Sequence, residues 1–231
     1  FYEVAVRSSA TAEDLPGASF AGQHESYLGV RGKADLLLAV QKCFASLYTD
    51  RAIKYREDKG FDHSKIALSV GVQKMVHADR ACAGICFTLE PESGFRDVIH
   101  ISGVWGLGEN IVQGTVSPDE FYVFKPTLRQ GKNAIINKKL GEKQQILSYK
   151  REPALDEMVL INTDTPAGMR EKYVLNDEEL TTIARWAQDI EDHYKQPLDV
   201  EWAKDGRDGK LHIVQARPET IHSNKKPLQL K

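Results

Sequence analysis

The segment 197–220, PLDVEWAKDGRDGKLHIVQARPET, constrains the fold more than any other part of the chain. Two stretches in which apolar and polar residues alternate flank two Asp-Gly pairs, a pattern typical of a β-hairpin. The apolar residues of the first strand are Leu198, Val200 and Trp202. Because side chains alternate between the two faces of a strand, Asp199 and Glu201 are predicted to share the opposite face.

The second strand of this hairpin adds an amide and an arginine. Gln215 and Arg217 are predicted to share a face with Leu211 and Ile213. If odd-numbered residues pair with odd-numbered residues, four polar side chains converge: Asp199, Glu201, Gln215 and Arg217. Carboxylate and amide oxygens suit Mg²⁺, and an adjacent arginine suits a phosphate. The alternative is a solvated hairpin edge without function, which the pattern alone favours.

The rest of the chain mixes helices with strands. Apolar residues at helical spacing predict one amphipathic helix over residues 35–56. Asn176 and Glu179 predict a capping box at the start of a second helix that ends near Tyr194. The remaining segments predicted to be β are 66–91 as a hairpin, 97–106, 119–126 and 134–149. This order predicts an α+β fold with mainly antiparallel sheet and flanking helices.

A candidate anion site lies near the beginning of the chain. Residues 6–30, VRSSATAEDLPGASFAGQHESYLGV, are rich in small and hydroxyl-bearing residues and predict a loop. Arg7 is expected at the end of the first strand, beside this loop, where a guanidinium is able to clamp a polyphosphate. A solvent-facing arginine beside a surface loop explains the same pattern equally well.

The stretch GLGEN invites comparison with nucleotide-binding fingerprints. Gly106 and Gly108 are followed by Ile111 where a dinucleotide site requires glycine, and no Gly-Lys-Ser/Thr follows as in a P-loop. A glycine turn is therefore predicted here. Glu109 remains a candidate functional carboxylate.

Composition excludes several classes of function. The 31 Lys and Arg residues nearly balance 33 Asp and Glu, which argues against a nucleic-acid groove or a membrane-binding surface. No apolar stretch is long enough to span a bilayer. The 3 cysteines are an odd number and lack zinc-ligand spacing, which predicts reduced thiols in the core of a cytoplasmic protein. The 7 histidines form no metal-ligand pattern.

Five stretches together resemble the nucleotide-binding domain of phosphoenolpyruvate synthases, which are related to pyruvate phosphate dikinase. They are VRSSATAEDLPGASFAGQHESYLGV, CFASLYTDRAIKYR, GVQKMV, WGLGENIVQGTVSPDEFYVFKPTL and DVEWAKDGRDGKLHIVQARPET, and they follow the family order over nearly the whole chain. The resemblance implies an ATP-grasp fold in which two α+β lobes hold ATP, with the N-terminal part of the domain missing. It also favours a functional closing hairpin over a solvated one.

The resemblance implies roles for individual residues. Arg7 would contact the ATP phosphates at the head of a covering loop that includes Gly22 and Ser26, and Gln73 would lie near the nucleotide. Magnesium ligands would be Asp199, Glu201 and Gln215. The residues expected to act in phosphoryl transfer are Arg7, Glu201, Gln215 and Arg217. The full set expected to bind ATP is Arg7, Gly22, Ser26, Gln73, Glu109, Glu201, Gln215 and Arg217.

The activity implied by the resemblance is that of a pyruvate, water dikinase, which converts pyruvate, ATP and water to phosphoenolpyruvate, AMP and phosphate. Residues 1–220 would form the ATP-binding domain, and residues 221–231 a linker toward a phosphohistidine domain. That domain and a pyruvate-binding domain would be its partners, and a homodimer of the full-length enzyme is left open. The alternatives are a related phosphotransferase, such as rifampicin phosphotransferase, and a non-catalytic nucleotide-binding module.

Overall fold

The computed structural model describes residues 2–11, 14–15, 18–19, 26–152 and 157–219. The chain divides into two compact units. Unit 1 comprises Phe1–Met75 and Tyr149–Val159, and unit 2 comprises Val76–Ser148 and Leu160–Lys231.

Unit 1 is built on a three-stranded antiparallel sheet. Its elements are β1 (Glu3–Ala10), β2 (Asp14–Leu15), β3 (Ala18–Ser19), β4 (Ser26–Arg31), α1 (Gly32–Ala45), α2 (Asp50–Lys59) and β5 (Leu68–Lys74). The sheet order is β4-β1-β5, and β2 pairs with β3 alone. Helix α1 packs on one face of the larger sheet, where Val6 and Val30 meet Ala39 and Cys43.

The single helix predicted over residues 35–56 is wrong, because the structure has two helices there. A short 3-10 turn, Ser46–Tyr48, follows α1, and Thr49 is extended. The Thr49 hydroxyl accepts a hydrogen bond from the Ala52 backbone N–H at 3.3 Å and so begins α2 as its N-cap. The predicted apolar face is also only partly buried, since Leu37 and Phe44 are 54% and 47% exposed.

Two further predictions for unit 1 need correction. Arg7 lies within β1 rather than at its end, because β1 continues through Ala10 and pairs with β5 from Val4 to Ala10. The predicted loop over 6–30 is therefore partly strand.

The predicted 66–91 hairpin is also wrong: β5 pairs with β1, whereas the next strand joins the sheet of unit 2. The hairpin was predicted because the two strands are adjacent in the sequence, but each of them pairs with a strand that is distant in the sequence.

Unit 2 contains a six-stranded antiparallel sheet. The elements that follow β5 are β6 (Cys82–Phe87), β7 (Val98–Trp105), α3 (Glu109–Val112), β8 (Asp119–Phe124), α4 (Lys125–Arg129), β9 (Ile135–Lys139), β10 (Gln145–Glu152), β11 (Glu157–Asp164), α5 (Ala167–Arg170), α6 (Asp177–Tyr194), β12 (Leu198–Lys204) and β13 (Leu211–Pro218). The sheet order is β13-β12-β6-β7-β8-β9, while β10 and β11 form a separate two-stranded sheet. The α+β class with mainly antiparallel sheet is confirmed in the described part of the chain.

Helix α6 covers one face of the six-stranded sheet. The capping box predicted from Asn176 and Glu179 is confirmed, with both reciprocal hydrogen bonds present at 2.9 and 3.0 Å. Its apolar face meets the inward residues of β12 in one hydrophobic cluster, which includes Leu180, Ile183, Ala184, Leu198, Val200 and Trp202. No helix within the described ranges is both long and apolar enough to cross a membrane.

Trp202 shows how glycine placement shapes this core. A Cβ atom added at Gly84 would lie 2.6 Å from the Trp202 ring, and one added at Gly103 would lie 3.0 Å from it. The two glycines on β6 and β7 therefore leave the space in which the indole lies against the face of the sheet.

Cys82 and Cys86 belong to the same hydrophobic cluster, as predicted. Burial raises the pKa of the Cys82 thiol to about 12.

Candidate functional site

The closing hairpin brings four predicted residues together on the face of the six-stranded sheet opposite α6, which we call the open face. β12 and β13 pair Asp199 with Arg217 and Glu201 with Gln215, so the predicted odd-to-odd register is confirmed. Directly paired residues of antiparallel strands project to the same side. The Arg217 guanidinium donates from Nε and Nη2 to Asp199 Oδ2, both at 2.9 Å. All four side chains are half-buried.

The predicted sharing of a face between Gln215, Arg217, Leu211 and Ile213 is wrong. A β-bulge interrupts the pairing: Glu201 pairs with Gln215 but Trp202 pairs with Ile213, which leaves Val214 as the extra residue. A bulge shifts the alternation by one residue. Leu211 and Ile213 therefore pack against the hydrophobic cluster. Gln215 and Arg217 are turned to the open face.

The open face continues as two cross-strand rows beyond the hairpin. The row through Glu201 runs to Ile85, Ser102 and Glu120, and the row through Asp199 runs to Phe87, His100 and Tyr122. Except for Ser102, which is buried, these side chains are half-buried. The open face is thus a partly shielded, mostly polar surface, and the predicted site occupies its β12–β13 end.

His100 is the most unusual side chain on this surface. Its two ring nitrogens are buried, and neither has a hydrogen-bond partner among the described residues. The ring centroid lies 4.9 Å from that of Tyr122. Burial lowers the pKa of the imidazole, while Glu120, Glu90 and Glu92 act in the opposite direction.

Glu109 lies on a loop that approaches the open face. The predicted glycine turn is confirmed, because Gly106 has a φ of +80° and a Cβ atom added there would lie 2.3 Å from the Leu147 carbonyl oxygen. A Cβ atom added at Gly108 would lie 3.6 Å from the Cβ of Ala83 on β6. Glu109 follows at the start of α3, half-buried, and desolvation raises the pKa of its carboxyl group.

Three predicted residues of unit 1 share a sheet face of their own. Arg7 pairs with Ser26 on β4, and Gln73 pairs with Ala5, two residues before Arg7. They lie on the side of the sheet opposite α1, because Val6, between them along β1, packs under α1. Arg7 is half-buried, whereas Ser26 and Gln73 are exposed. The predicted loop residue Gly22 lies outside the described residues.

The donor set at the closing hairpin fits a hard divalent cation. Glu201 and Gln215 supply carboxylate and amide oxygens at paired positions, and Asp199 adds a carboxylate that is already engaged by Arg217. Mg²⁺ prefers few protein oxygens and takes the rest from water and phosphate. Within the described ranges, no three His, Cys, Asp or Glu side chains group as a metal cage. A magnesium ion at this position would therefore take most of its ligands from water and phosphate.

The extension of the open face along β7 and β8 was not predicted. A signal was present in the stretch EFYV of β8, where Glu120 and Tyr122 alternate with the apolar Phe121 and Val123, and the structure half-buries the first pair and buries the second. That alternation separates Glu120 and Tyr122 from the buried Phe121 and Val123. What the pattern lacked was the strand order, which places these residues in the same rows as Glu201 and Asp199.

The fold and the site together define a class, an α+β domain with a polar sheet face that presents two carboxylates, an amide and an arginine. The sequence matches the family described as "Pyruvate phosphate dikinase, AMP/ATP-binding domain" over residues 2–231, and the chain belongs to that family.

Several curated relatives carry the name phosphoenolpyruvate synthase. The relative from Helicobacter pylori is 53% identical over 96% of this chain and 28% of its own length. The relative from Aquifex aeolicus is 54% identical over 97% of this chain and 26% of its own length. The relative from Escherichia coli is 52% identical over 95% of this chain and 28% of its own length. The chain thus spans little more than a quarter of each.

Proposed function

We propose that this chain is the ATP-grasp nucleotide-binding module of a phosphoenolpyruvate synthase. It positions Mg-ATP for transfer of the β-phosphoryl group to a histidine on a swivelling domain. The observation that carries the proposal is the register of the closing hairpin, which pairs Asp199 with Arg217 and Glu201 with Gln215 on a half-buried sheet face. The names of the relatives favour this function over that of an antibiotic phosphotransferase.

Each residue of the closing hairpin has a distinct task in this proposal. Glu201, Gln215 and Asp199 would hold the magnesium ion, which when bound offsets the negative charge of the phosphates. Arg217 donates to phosphate oxygens, and Asp199 fixes the orientation of its guanidinium through the 2.9 Å contacts. Phosphoryl transfer depends mainly on alignment and charge neutralisation, so such a site requires no nucleophile from this chain.

Residues outside the hairpin have proposed roles of their own. Arg7 binds phosphate oxygens, with Ser26, Gly22 and Gln73 near the nucleotide. The Glu109 carboxylate is a hydrogen-bond acceptor and is negatively charged when ionised. It therefore suits the hydrogen-bond donors of the nucleoside rather than the phosphates. The chain spans 28% of the length of the Helicobacter pylori relative. In this proposal the residues that the structure describes bind neither pyruvate nor the histidine that accepts the phosphoryl group.

The proposal is tested by isothermal titration of the chain with a non-hydrolysable ATP analogue, with and without Mg²⁺. Glu201→Gln keeps the size of the side chain but removes its charge, and we expect it to weaken magnesium-dependent binding by roughly tenfold to a hundredfold. Glu120→Gln is the matched control, because Glu120 lies in the same cross-strand row but roughly 14 Å away at the spacing of three strands. Equal weakening in both variants, or binding that ignores magnesium, would overturn the assignment.

A further inference from the structure

A buried asparagine anchors the turn that presents Glu109. Asn110, the second residue of α3, is 1% exposed. Its side-chain amide donates from Nδ2 to Oδ1 of Asn162 on β11 at 2.9 Å. Its own Oδ1 accepts from the Thr115 hydroxyl at 3.0 Å, and its backbone carbonyl accepts from the Thr115 N–H at 3.0 Å. One side chain thus ties α3 both to a neighbouring strand and to the end of its own loop.

The backbone before Glu109 is held against the sheet as well. Gly106 donates its N–H to the Ala81 carbonyl at 3.0 Å, and Leu107 donates to the Leu147 carbonyl at 2.9 Å. Gly108 then lies over Ala83, since a Cβ atom added at Gly108 would be in van der Waals contact with the Ala83 side chain. On the far side of α3, Gly114 has a φ of +65° and donates its N–H to the Ile111 carbonyl at 3.0 Å, a contact within the turn itself. Asn110 therefore supplies the side-chain anchor for the second half of this turn.

The site that the anchor serves lies next to Glu201. Ala83, beneath Gly108, pairs with Ala203 on β12, two residues along the strand from Glu201 and on the same face. Glu109 is half-buried, and desolvation is the cause of its raised pKa. A carboxylate in such a place loses favourable hydration, and a flexible turn would let it swing into water. The contacts of Asn110 with Asn162 and Thr115 restrain α3 and so limit such a movement.

We propose that the Asn110–Asn162 pair is a positioning device that fixes the Glu109 carboxylate over the open face, at the nucleoside end of the site. The inference rests on the proposed function and deepens it, because it names residues that determine how the nucleoside is held. An apolar side chain would fill the buried position of Asn110 equally well. Only a group with both a donor and an acceptor links α3 to Asn162 and Thr115 at once.

Asn162→Ala is the variant that tests the proposal. Asn162 is exposed, so its truncation removes the partner of Asn110 without opening the core. Thr163→Ala, at the next and equally exposed position of β11, is the matched control. We expect Asn162→Ala to raise the Kd of the magnesium complex of the ATP analogue by about threefold to tenfold, the size expected from one hydrogen bond. Thr163→Ala should leave the Kd unchanged.

Two readouts distinguish positioning from a general loss of stability. First, Asn162→Ala should add nothing to the loss caused by Glu109→Gln in the double variant, because it acts through Glu109. Second, carboxyl NMR of the ligand-free chain should show the pKa of Glu109 falling toward its ordinary value in Asn162→Ala, since the released side chain gains water. Additive losses, or an unchanged Glu109 pKa, would overturn the proposal. Because the second readout needs no nucleotide, it separates failure of this inference from failure of the proposed function.

Discussion

The two units differ most in what they bury. Unit 2 encloses large side chains, among them Trp202, Phe121, Ile99 and Leu180, in one cluster between the six-stranded sheet and α6. Among residues 26–75 of unit 1, no Leu, Ile or Phe is buried. The buried residues of the cluster beneath α1 are the small Val6, Val30, Ala39 and Cys43, against which Tyr27, Leu36 and three valines pack while only partly buried. Because burial of apolar surface is the dominant stabilising term in folding, we expect the hydrophobic contribution to stability to be larger in unit 2 than in unit 1.

This difference bears on how firmly each unit holds its own proposed ligand-binding residues. The carboxylates of β12 project from a sheet whose other face is firmly packed, so their geometry is set before any ligand arrives. Arg7 projects from a sheet with a much thinner core. Regions with few buried apolar contacts open at lower free energy than well-packed ones. We therefore expect the proposed magnesium ligands to be preorganised and the Arg7 side chain to be held less firmly before a nucleotide binds.

The largest expected effect concerns the core of unit 2. Trp202→Ala removes the indole from the space beneath Gly84 and Gly103 and should lower the free energy of unfolding by about 3 to 5 kcal/mol. All 3 tryptophans of the chain, Trp105, Trp186 and Trp202, lie in unit 2. The fluorescence of the other two therefore reports the urea unfolding of that unit. A loss below about 1 kcal/mol would contradict the contrast drawn between the two cores.

The second prediction tests the core of unit 1. Val6→Ala deletes two buried methyl groups and should cost about 2 kcal/mol. Its matched control is Val72→Ala, at the position paired with Val6 but 49% exposed, which should cost less than about 0.5 kcal/mol. We expect the Val6 effect in the unfolding transition followed by far-UV circular dichroism, with little change in the tryptophan transition. Equal shifts in both signals would mean that the two units unfold as one.

The sequence predicted best those features that local interactions determine. The capping box of Asn176 and Glu179 and the closing hairpin at its two Asp-Gly pairs depend on residues a few positions apart, and both are confirmed. The bulge at Val214 had no such signal, because the extra residue is an ordinary β-former. The register of Asp199 and Glu201 therefore followed from the pattern, whereas the facing of Leu211 and Ile213 did not.

Features that depend on distant partners could not be predicted. Lys143 occurs in the stretch GEKQ, which resembles any polar loop, yet both its side chain and that of Asp119 are completely buried. Asp119 also accepts the N–H groups of Gly141 and Val174 at 2.8 Å, so its carboxylate is fully engaged. The pairing of β5 with β1, and of β6 with β12, likewise joins segments that lie far apart in the chain.

The third prediction uses pH to probe the open face of unit 2. Burial lowers the pKa of His100 in the folded chain below its ordinary value of 6.5, so the unfolded chain takes up the proton first as the pH falls. The contribution of His100 to stability is present above pH 6.5 and is lost as the pH falls through that value toward the folded-state pKa. We expect the free energy of unfolding, followed by tryptophan fluorescence, to fall less steeply with acid in His100→Phe than in the unaltered chain. Identical slopes would show that the imidazole is hydrated in solution.

The smallest expected effect concerns the outer face of α1. Leu38 is 49% exposed on this helix, and truncating a side chain that packs little should change stability by less than about 0.5 kcal/mol. Leu38→Ala would thus be nearly silent in far-UV circular dichroism, in contrast to Val6→Ala. Leu38→Ala removes even more apolar atoms than Val6→Ala from the same unit, but Leu38 is half exposed whereas Val6 is fully buried. A cost near 2 kcal/mol for Leu38→Ala would mean that the outer face of α1 is covered in solution, and the core of unit 1 would then be larger than its described residues indicate.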